Sequence, residues 1–503
     1  MHLPVTLSKL NRNLASMENN VRSLSPSNLW NHFADLNAVP RPSKKEQRVI
    51  AFAKEFGEKL GLPTLVDEVG NVIIKKPATP GMENRVTVCL QSHLDMVHQK
   101  NNDTKFDFDL EGIRMFVDGD WVKAEGTTLG ADNGIGVATI MALLSSKDIP
   151  HPPLEALFTI DEETGMTGAM GLKGGLLDAK IMLNLDTEED NELTIGCAGG
   201  LDVTIQGSYH EAQTTKGNIA LKLTVKGLTG GHSGMDIHLG RGNANKIMNR
   251  ILWEGVQKHA WQVASIEGGS LRNAIPRESV AVVTVAGDQQ EPSLASIQQL
   301  RSVLKKEYQT TDANLEILVE QTETPSMVAS QEFLSAFLRR IYACPNGIYR
   351  MSPDIQGLVQ SSNNLARVQM VGGKFTALCL TRSSVESEKW DVANAIHGAF
   401  DLNGAEIKFS GSYPGWTPNP NSSIVSLMSS LYQERFGETA HVNACHAGLE
   451  CGILGANYPD MEMISFGPNI RGAHSPDEKV QISSVQKFWG YLLETLSRIP
   501  EVR

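Results

Sequence analysis

Leu154-Glu-Ala-Leu-Phe-Thr-Ile160 runs straight into Asp161-Glu162-Glu163-Thr-Gly165. The first seven residues have the apolar, branched composition of a buried strand, and the three that follow are carboxylates placed where that strand meets solvent. One or two acids at such a point are ordinary solvation. Three in a row also permit a division of labour, in which one carboxylate holds a cation and its neighbour moves a proton.

The same device recurs along the chain. Ile181-Met-Leu-Asn-Leu185 delivers Asp186 at a strand end, and the apolar run Val86 to Leu90 leads into Ser92-His93-Leu94-Asp95. His93 and Asp95 are two residues apart and so emerge on the same side of a strand, a spacing that suits a ligand and the carboxylate that fixes its tautomer. Gly130-Ala-Asp132-Asn-Gly134 precedes an apolar helix expected from about Ile135 to Leu144. A carboxylate at a helix N-terminus is favoured without any metal, so capping is an alternative role for Asp132. The strand-like Met463 to Phe466 is followed by Gly472-Ala-His474-Ser475-Pro476-Asp477-Glu478. Ligands collected from several strand ends are what an open α/β sheet offers, because its sites form beyond the carboxyl ends of its strands.

The set comprises two histidines, three carboxylates suited to ligate and two suited to support them, with no cysteine. Nitrogen and oxygen donors suit zinc, cobalt or manganese. Too many carboxylates are present for one tetrahedral ion, which points to two ions roughly 3.5–4 Å apart, bridged by Asp132 and a water.

Outward from these blocks, a helix is expected near Ser43, with Glu46 reaching back as in a capping box and Val49, Ala53, Phe56 and Leu60 on one face. Short strands at 65–74 and 86–90 and the helix after Gly134 then alternate, which implies an α/β sheet with covered faces. The pattern changes after Cys197-Ala-Gly-Gly200 to alternating runs such as 219–225 and 280–285 among Gly-rich turns. Residues 201–413 are read as an inserted second domain, between a first part of a catalytic domain (1–200, its first 25 residues a loose tail) and a second part (414–503). Gly415 to Asn421 resembles a linker, and a helix over 424–436 returns the chain to the first domain.

A chain of 503 residues exceeds a single core, so two domains are expected. A net charge of −12, spread without a Lys/Arg cluster, argues against nucleic acid and anionic membrane as partners. No apolar run reaches the roughly 18 residues of a membrane span, and residues 1–10 do not form a signal peptide. Before Glu18 the tail has Lys9 and Arg12 but no acid, and Met17 is an alternative start. The six cysteines are scattered without a Cys-x-x-Cys pair and read as reduced, mostly buried thiols, which fits a cytoplasmic protein.

Taken in order, these blocks resemble the co-catalytic zinc peptidases, a family that includes carnosinases, aminoacylases and bacterial dipeptidases, and the likeness runs over nearly the whole chain after about residue 25. The resemblance implies a zinc-peptidase catalytic domain with a central mixed sheet flanked by helices, plus an inserted α+β lid or dimerisation domain. It implies two Zn2+ per subunit, with Co2+ or Mn2+ as substitutes: His93 and Asp186 on one, Glu163 and His474 on the other, Asp132 bridging. Asp95 would orient His93, and Glu162 would be the general base. It also implies a cis peptide at Asp132-Asn133. In the insert, Gly230-Gly-His232-Ser-Gly234 matches the block whose histidine polarises the substrate carbonyl. Asn273, Arg382 and Gly448 match substrate contacts, although a surface salt bridge for Arg382 and a turn role for Gly448 are alternatives. The implied activity is hydrolysis of unblocked dipeptides, including Xaa-His and carnosine-like ones, by a homodimer whose His232 serves its own or a partner subunit.

Rival chemistries fit poorly. Gly231-His-Ser-Gly234 lacks the Gly-x-Ser-x-Gly elbow, and Gly134-Ile-Gly136 has Thr139 where a dinucleotide fingerprint needs a third glycine. His98, His151 and His238 lack partners at ligand spacing, and Asp103, Asp107 and Asp109 read as a solvated run. Cys445, His446 and Cys451 are spaced too widely for a metal knot.

Overall fold

The computed structural model describes residues 20–401 and 405–502. Residues 1–19, most of the expected tail with Lys9, Arg12 and Met17, lie outside the described residues. In the remainder of that tail Val21–Ser23 forms a 3-10 turn with Val21 buried, while Asn20, Arg22, Ser23 and Ser25 are exposed. The described residues divide into two compact units, one drawn from Met1–Gly196, Pro418–Ala444 and Ile453–Arg503, the other from Cys197–Thr417 and Cys445–Gly452. The short segment 445–452 thus sits with the second unit.

In the first unit the strands before the second unit are β1 (Thr64–Val66), β2 (Val72–Lys76), β3 (Val88–His93), β4 (Met115–Asp118), β5 (Trp121–Ala124), β6 (Leu154–Thr159), β7 (Ile181–Asn184) and β8 (Glu192–Cys197). An eight-stranded mixed sheet has the order β1-β2-β6-β3-β7, then Glu462–Ser465, β8 and His441–Cys445. Its centre is parallel: β3 pairs in parallel with β6 and β7, and Glu462–Ser465 with β7. Every residue of β3, β6 and β7 is buried, which is why these runs read as continuously apolar and not as alternating. The helices α1 (Ser27–Asn37), α2 (Gln47–Lys59) and α3 (Ala131–Ser145) precede or interleave these strands. Nearly all of α3 is buried, and it packs against β3 and α1.

The register has a direct consequence for the site. Gln91 lies opposite both Leu157 and Asn184, and His93 lies opposite Thr159, so the parallel strands end side by side with His93, the 161–163 acids and Asp186 just beyond them. A second, four-stranded sheet runs Ile470–Arg471, Lys479–Gln481, β5, β4. Ile470–Arg471 and Lys479–Gln481 form an antiparallel hairpin whose loop carries His474, and Val480 pairs with Val122 of β5. The chain leaving β5 reaches Asp132 within eight residues, so this sheet ties the His474 loop to the Asp132 loop.

The expected capping box at Ser43 does not form. α2 begins at Gln47, and the Ser43 hydroxyl donates to Asp95 Oδ2 at 2.8 Å while Glu46 accepts from the Lys44 amide at 2.7 Å. A buried carboxylate draws a hydroxyl donor more strongly than a helix end that water can solvate. On α2 itself Val49 and Ala53 are buried, but Leu60 ends up exposed and Gly57 takes the inner position, against Thr64 and Ile74.

The second unit is built on a nine-stranded sheet with the path Glu316–Thr322, Ile219–Lys226, Ser279–Val285, Gln262–Gly269, Val359–Val371, Lys374–Ser383, Gly199–Ser208, Ala405–Tyr413, with Gly347–Met351 paired to Val359–Val371. Its pairings are antiparallel. Helices Ala244–His259, Gln331–Ala343 and Glu386–Phe400 bury Ile247, Phe337 and Ile396 in one cluster with Leu201, Leu223, Val283 and Met370 of the strands. The fold of both units is mixed α/β, with sheets flanked by helices.

Candidate metal centre

Five of the seven residues singled out around the strand ends converge in the first unit through their ligand atoms. His93 Nε2 is 3.1 Å from Asp132 Oδ1 and 3.5 Å from Asp186 Oδ1. His474 Nε2 is 3.1 Å from Asp132 Oδ2 and 3.0 Å from Glu163 Oε2. Each trio, His93/Asp132/Asp186 and Asp132/Glu163/His474, offers ligand atoms within 4.8 Å of one another. Asp132 belongs to both trios and presents one oxygen to each histidine.

Asp132 does not cap its helix. Its backbone (φ −82°, ψ 108°) and that of Asn133 are non-helical, and the Asp132–Asn133 peptide is cis. Glycines frame the segment. Gly130 has φ +69°, and a Cβ there would sit 2.5 Å from Arg41 Nη2 and 2.8 Å from Met96 Sδ, so both conformation and space demand glycine.

Asp95 is fully buried and surrounded by donors. Its Oδ1 accepts from the Glu162 amide at 3.0 Å, its Oδ2 from Ser43 and from the Glu163 amide at 3.3 Å, and His93 Nδ1 lies 3.4 Å from Oδ1 and 3.2 Å from the Asp95 carbonyl. With Nδ1 on the Asp95 side, His93 Nε2 faces Asp132 and Asp186. The same carboxylate therefore lies against His93 and accepts from the backbone of both Glu162 and Glu163. The third acid of the run points elsewhere. Asp161, at φ +54°, is held by Lys44 Nζ at 2.6 Å, by Thr167 Oγ1 at 2.6 Å and by Thr164. That turn presents Glu162 and Glu163 to the site, and Glu162 belongs to a further group with His93 and Glu163.

Crowded carboxylates set the electrostatics. Burial works against a charged His93, but Asp186, Asp132 and Asp95 outweigh it and raise the imidazole well above its usual value. Hydrogen bonds to Asp132 and Glu163 push His474 up to about 11. Burial would raise Asp132, yet the two histidines hold it well below the carboxylate range, whereas burial leaves Asp186 raised to about 6. The cluster thus favours positive charge at both histidine Nε2 positions. Two buried carboxylate oxygens, Glu163 Oε1 and Asp186 Oδ1, make no hydrogen bond among the described residues, and one belongs to each trio. Nitrogen and oxygen donors at this spacing with unsatisfied oxygens fit a pair of divalent cations.

Sequence reading misses two residues that hold this centre. Glu478 accepts the amides of Leu129 (2.7 Å), Gly130 (2.9 Å), Ala131 (2.7 Å) and Asp132 (3.2 Å). Burial pushes its carboxyl up to about 7 against the pull of these amides. Arg41, 1% exposed, donates to the carbonyls of Leu94, Asp95 and Gly130 and to Asn37 Oδ1. Glu478 stands in the His474 motif with no role that the motif itself suggests; Arg41, between Pro40 and Pro42, gives no periodic signal.

The second unit gathers part of the remaining set around Gly234. A Cβ on Gly234 would fall 3.1 Å from His232 Cε1, 3.2 Å from Arg382 Nε and even closer to the His446 carbonyl. His232 Nδ1 accepts the amides of Gly234 (3.2 Å) and Met235 (3.0 Å), which leaves the proton on Nε2; burial, then Arg382, lowers its pKa and keeps it neutral. Arg382 is buried, with Nη1 donating to Tyr413 Oη at 3.0 Å, and no carboxylate lies within ion-pair distance of it among the described residues, so it is not a surface salt bridge. The Asn273 carbonyl accepts from the Ser233 amide at 2.7 Å while its side chain is exposed, and Gly448 is half-buried in the loop after His446. His446 itself is buried, bonded to Ser362 Oγ at 2.7 Å and pushed down to about 3 by burial and by Arg382.

Residues 89–498 match the model of peptidase family M20/M25/M40. The chain belongs to that family. The peptidase is 43% identical over 477 residues to the cytosol non-specific dipeptidase of Escherichia coli strain K12, covering 95% of this chain and 98% of the relative. Its structure is similar to that of aminoacylhistidine dipeptidase from Vibrio alginolyticus, with TM-score 0.93 and 42% identity over 97% of this chain and 100% of the other. The aminopeptidase PepT of Bacillus cereus shares the fold alone, at TM-score 0.56 and 15% identity, over 95% and 99% of the two chains. Among the described residues of the peptidase, no helix is long and apolar enough to cross a membrane.

Proposed function

We propose that the peptidase hydrolyses unblocked dipeptides, Xaa-His and carnosine-like dipeptides among them, at a two-metal centre held by His93, Asp132, Asp186, Glu163 and His474. The observation that carries this reading is the carboxylate of Asp132, one oxygen 3.1 Å from each histidine, with a further carboxylate completing each trio. Zinc is the expected ion, with cobalt or manganese as substitutes. When bound, the two ions supply Lewis acidity to the scissile carbonyl and to the attacking water.

The chain's own groups do the rest. Glu162, its backbone fixed by Asp95, accepts the proton of the attacking water at its carboxylate and returns it to the leaving amine. Asp95 keeps the His93 Nε2 lone pair aimed at its ion. His232, neutral and protonated on Nε2, donates to the carbonyl oxygen as negative charge develops there, from its own or a partner subunit. Arg382, buried and without an acidic partner among the described residues, takes the free α-carboxylate with its planar fork, and Asn273 and Gly448 complete the peptide contacts. The 43% identity to a dipeptidase named as cytosolic supports a cytoplasmic enzyme, read here as a homodimer whose second unit is its lid and dimerisation domain.

The test is release of histidine from alanyl-histidine by metal-stripped protein, before and after zinc is restored, beside N-acetyl-alanyl-histidine. Activity confined to the zinc-loaded protein and the free dipeptide is the expected result. Silence of the folded, zinc-loaded protein on the free dipeptide, with cleavage of the blocked one, would transfer the reading to an N-acyl hydrolase.

A further inference from the structure

We infer that Glu478 and Arg41 are the positioning residues of the metal centre, acting as a two-sided clasp on the loop that carries Asp132. The inference rests on the metal-centre reading above. Four successive amides, Leu129 to Asp132, point at one carboxylate, each Glu478 oxygen taking two of them. Oxygens that each accept two N–H bonds suit the ionised form, and four donors in a dry site are what makes a buried charge tolerable.

On the opposite side of the same loop, Arg41 Nη2 donates to the Gly130 carbonyl at 2.6 Å, and its Nη1 donates to the Leu94 and Asp95 carbonyls at 3.1 and 3.0 Å. One residue, Gly130, therefore gives its N–H to the anion and its C=O to the cation. The Gly130–Ala131 peptide likewise gives its C=O to Arg41 and its N–H to Glu478, so one peptide group spans two buried opposite charges and is held from both ends. Glu478 enters from the hairpin that bears His474, and Arg41 reaches the strand end that bears His93. The clasp thus holds Asp132 in register with both histidines that its carboxylate faces.

Glu478 and Arg41 grip backbone groups of this loop and of the His93 strand end, so their effect on the ligands runs through the main chain. Fixing a shared ligand matters more than fixing a terminal one: a shift of Asp132 disturbs both ions at once. Supporting groups of this kind are worth roughly 10- to 100-fold in metal affinity. That range is expected for Glu478→Gln, which keeps the shape but can accept at one oxygen only. A smaller loss in the same direction is expected for Arg41→Lys, which keeps the charge but loses the fork.

The experiment titrates metal-stripped wild type, E478Q and R41K with Co2+ alone, following stoichiometry by calorimetry and ligand field by visible absorption, with kcat and KM for alanyl-histidine in parallel. Expected are two ions per wild-type chain, weaker binding of both ions with an altered spectrum in E478Q, and a kcat loss with KM within about twofold. A role in folding alone would lower the melting temperature but leave affinity and spectrum of the folded variant unchanged, and that result overturns the inference. If E478Q does not fold, R41K decides: wild-type cobalt affinity there overturns it, and so does failure of both variants to fold. Wild type that binds no cobalt would sink the metal-centre reading itself, a result distinguishable from failure of the clasp.

Discussion

Asp95→Asn replaces a carboxylate that faces only donors with an amide that must turn N–H toward one of them. The lower-cost placement puts nitrogen at the Oδ2 position, where Ser43 can rotate to accept, and keeps oxygen for the Glu162 amide and His93. The Glu163 amide, 3.3 Å from Oδ2, then meets a second N–H and is stranded. The opposite flip strands the Glu162 amide and denies His93 Nδ1 its carboxylate. Losing one charge-assisted bond and leaving one buried donor unsatisfied costs about 3 kcal/mol, which is about two powers of ten in the folded-to-unfolded ratio. Urea unfolding in the presence of a chelator reads that stability without metal, and a cobalt titration reads the consequence for His93 and Glu163, expected at roughly 10- to 100-fold weaker binding. The pH dependence has a definite sign. Burial raises the Asp95 carboxyl, but His93, the Glu162 amide and Ser43 outweigh it and hold it below its usual value. Its contribution to stability is therefore fully present above about pH 4 and lost as pH falls further, through its folded value. The variant should show a flatter acid limb. A D95N protein that unfolds within about 0.5 kcal/mol of wild type and binds cobalt normally would refute this reasoning.

Three further outcomes are expected. Glu162→Ala should lower kcat by on the order of 10²–10⁴ while two cobalt ions remain bound, and concurrent loss of metal would reassign Glu162 to the ligand set. Gly130→Ala forces a side chain into a left-handed backbone and against Arg41 and Met96, so it should lose about 2–4 kcal/mol by urea unfolding; a loss below about 0.5 kcal/mol would show that the loop adjusts freely. Arg382→Lys should raise KM for alanyl-histidine at least tenfold with little change for the C-terminal amide, and equal losses on both substrates would remove the carboxylate role.

The strand ends can be read from the sequence because β3, β6 and β7 are buried on both faces, so their boundaries appear as abrupt changes from apolar to acidic residues. What stays hidden depends on partners far apart in sequence. Ser43 looks like a helix cap because only local donors and acceptors can be weighed in one dimension; its actual partner, Asp95, is 52 residues on. Glu478 cannot be assigned because the amides it gathers begin 346 residues away. The alternative of a surface salt bridge for Arg382 fails for a similar reason: nothing local shows that its strand pairs with one carrying the buried polar residues Ser361, Ser362 and Asn363. Helix α1 escapes a periodicity reading although Leu29, Trp30, Phe33 and Leu36 keep helical spacing, since the polar residues between them weaken the pattern.

The division of the first unit into separate stretches of sequence also orders events during synthesis. His93, Asp132, Glu163 and Asp186 leave the ribosome together, whereas His474, and Glu478 behind it, follow only after the whole second unit has been translated. Until then the four early side chains lack the second imidazole and the carboxylate that gathers the 129–132 amides. A chain interrupted anywhere in the second unit therefore lacks both His474 and Glu478, and with them one of the two trios that share Asp132, so the order in which the residues are made keeps the full set from incomplete copies.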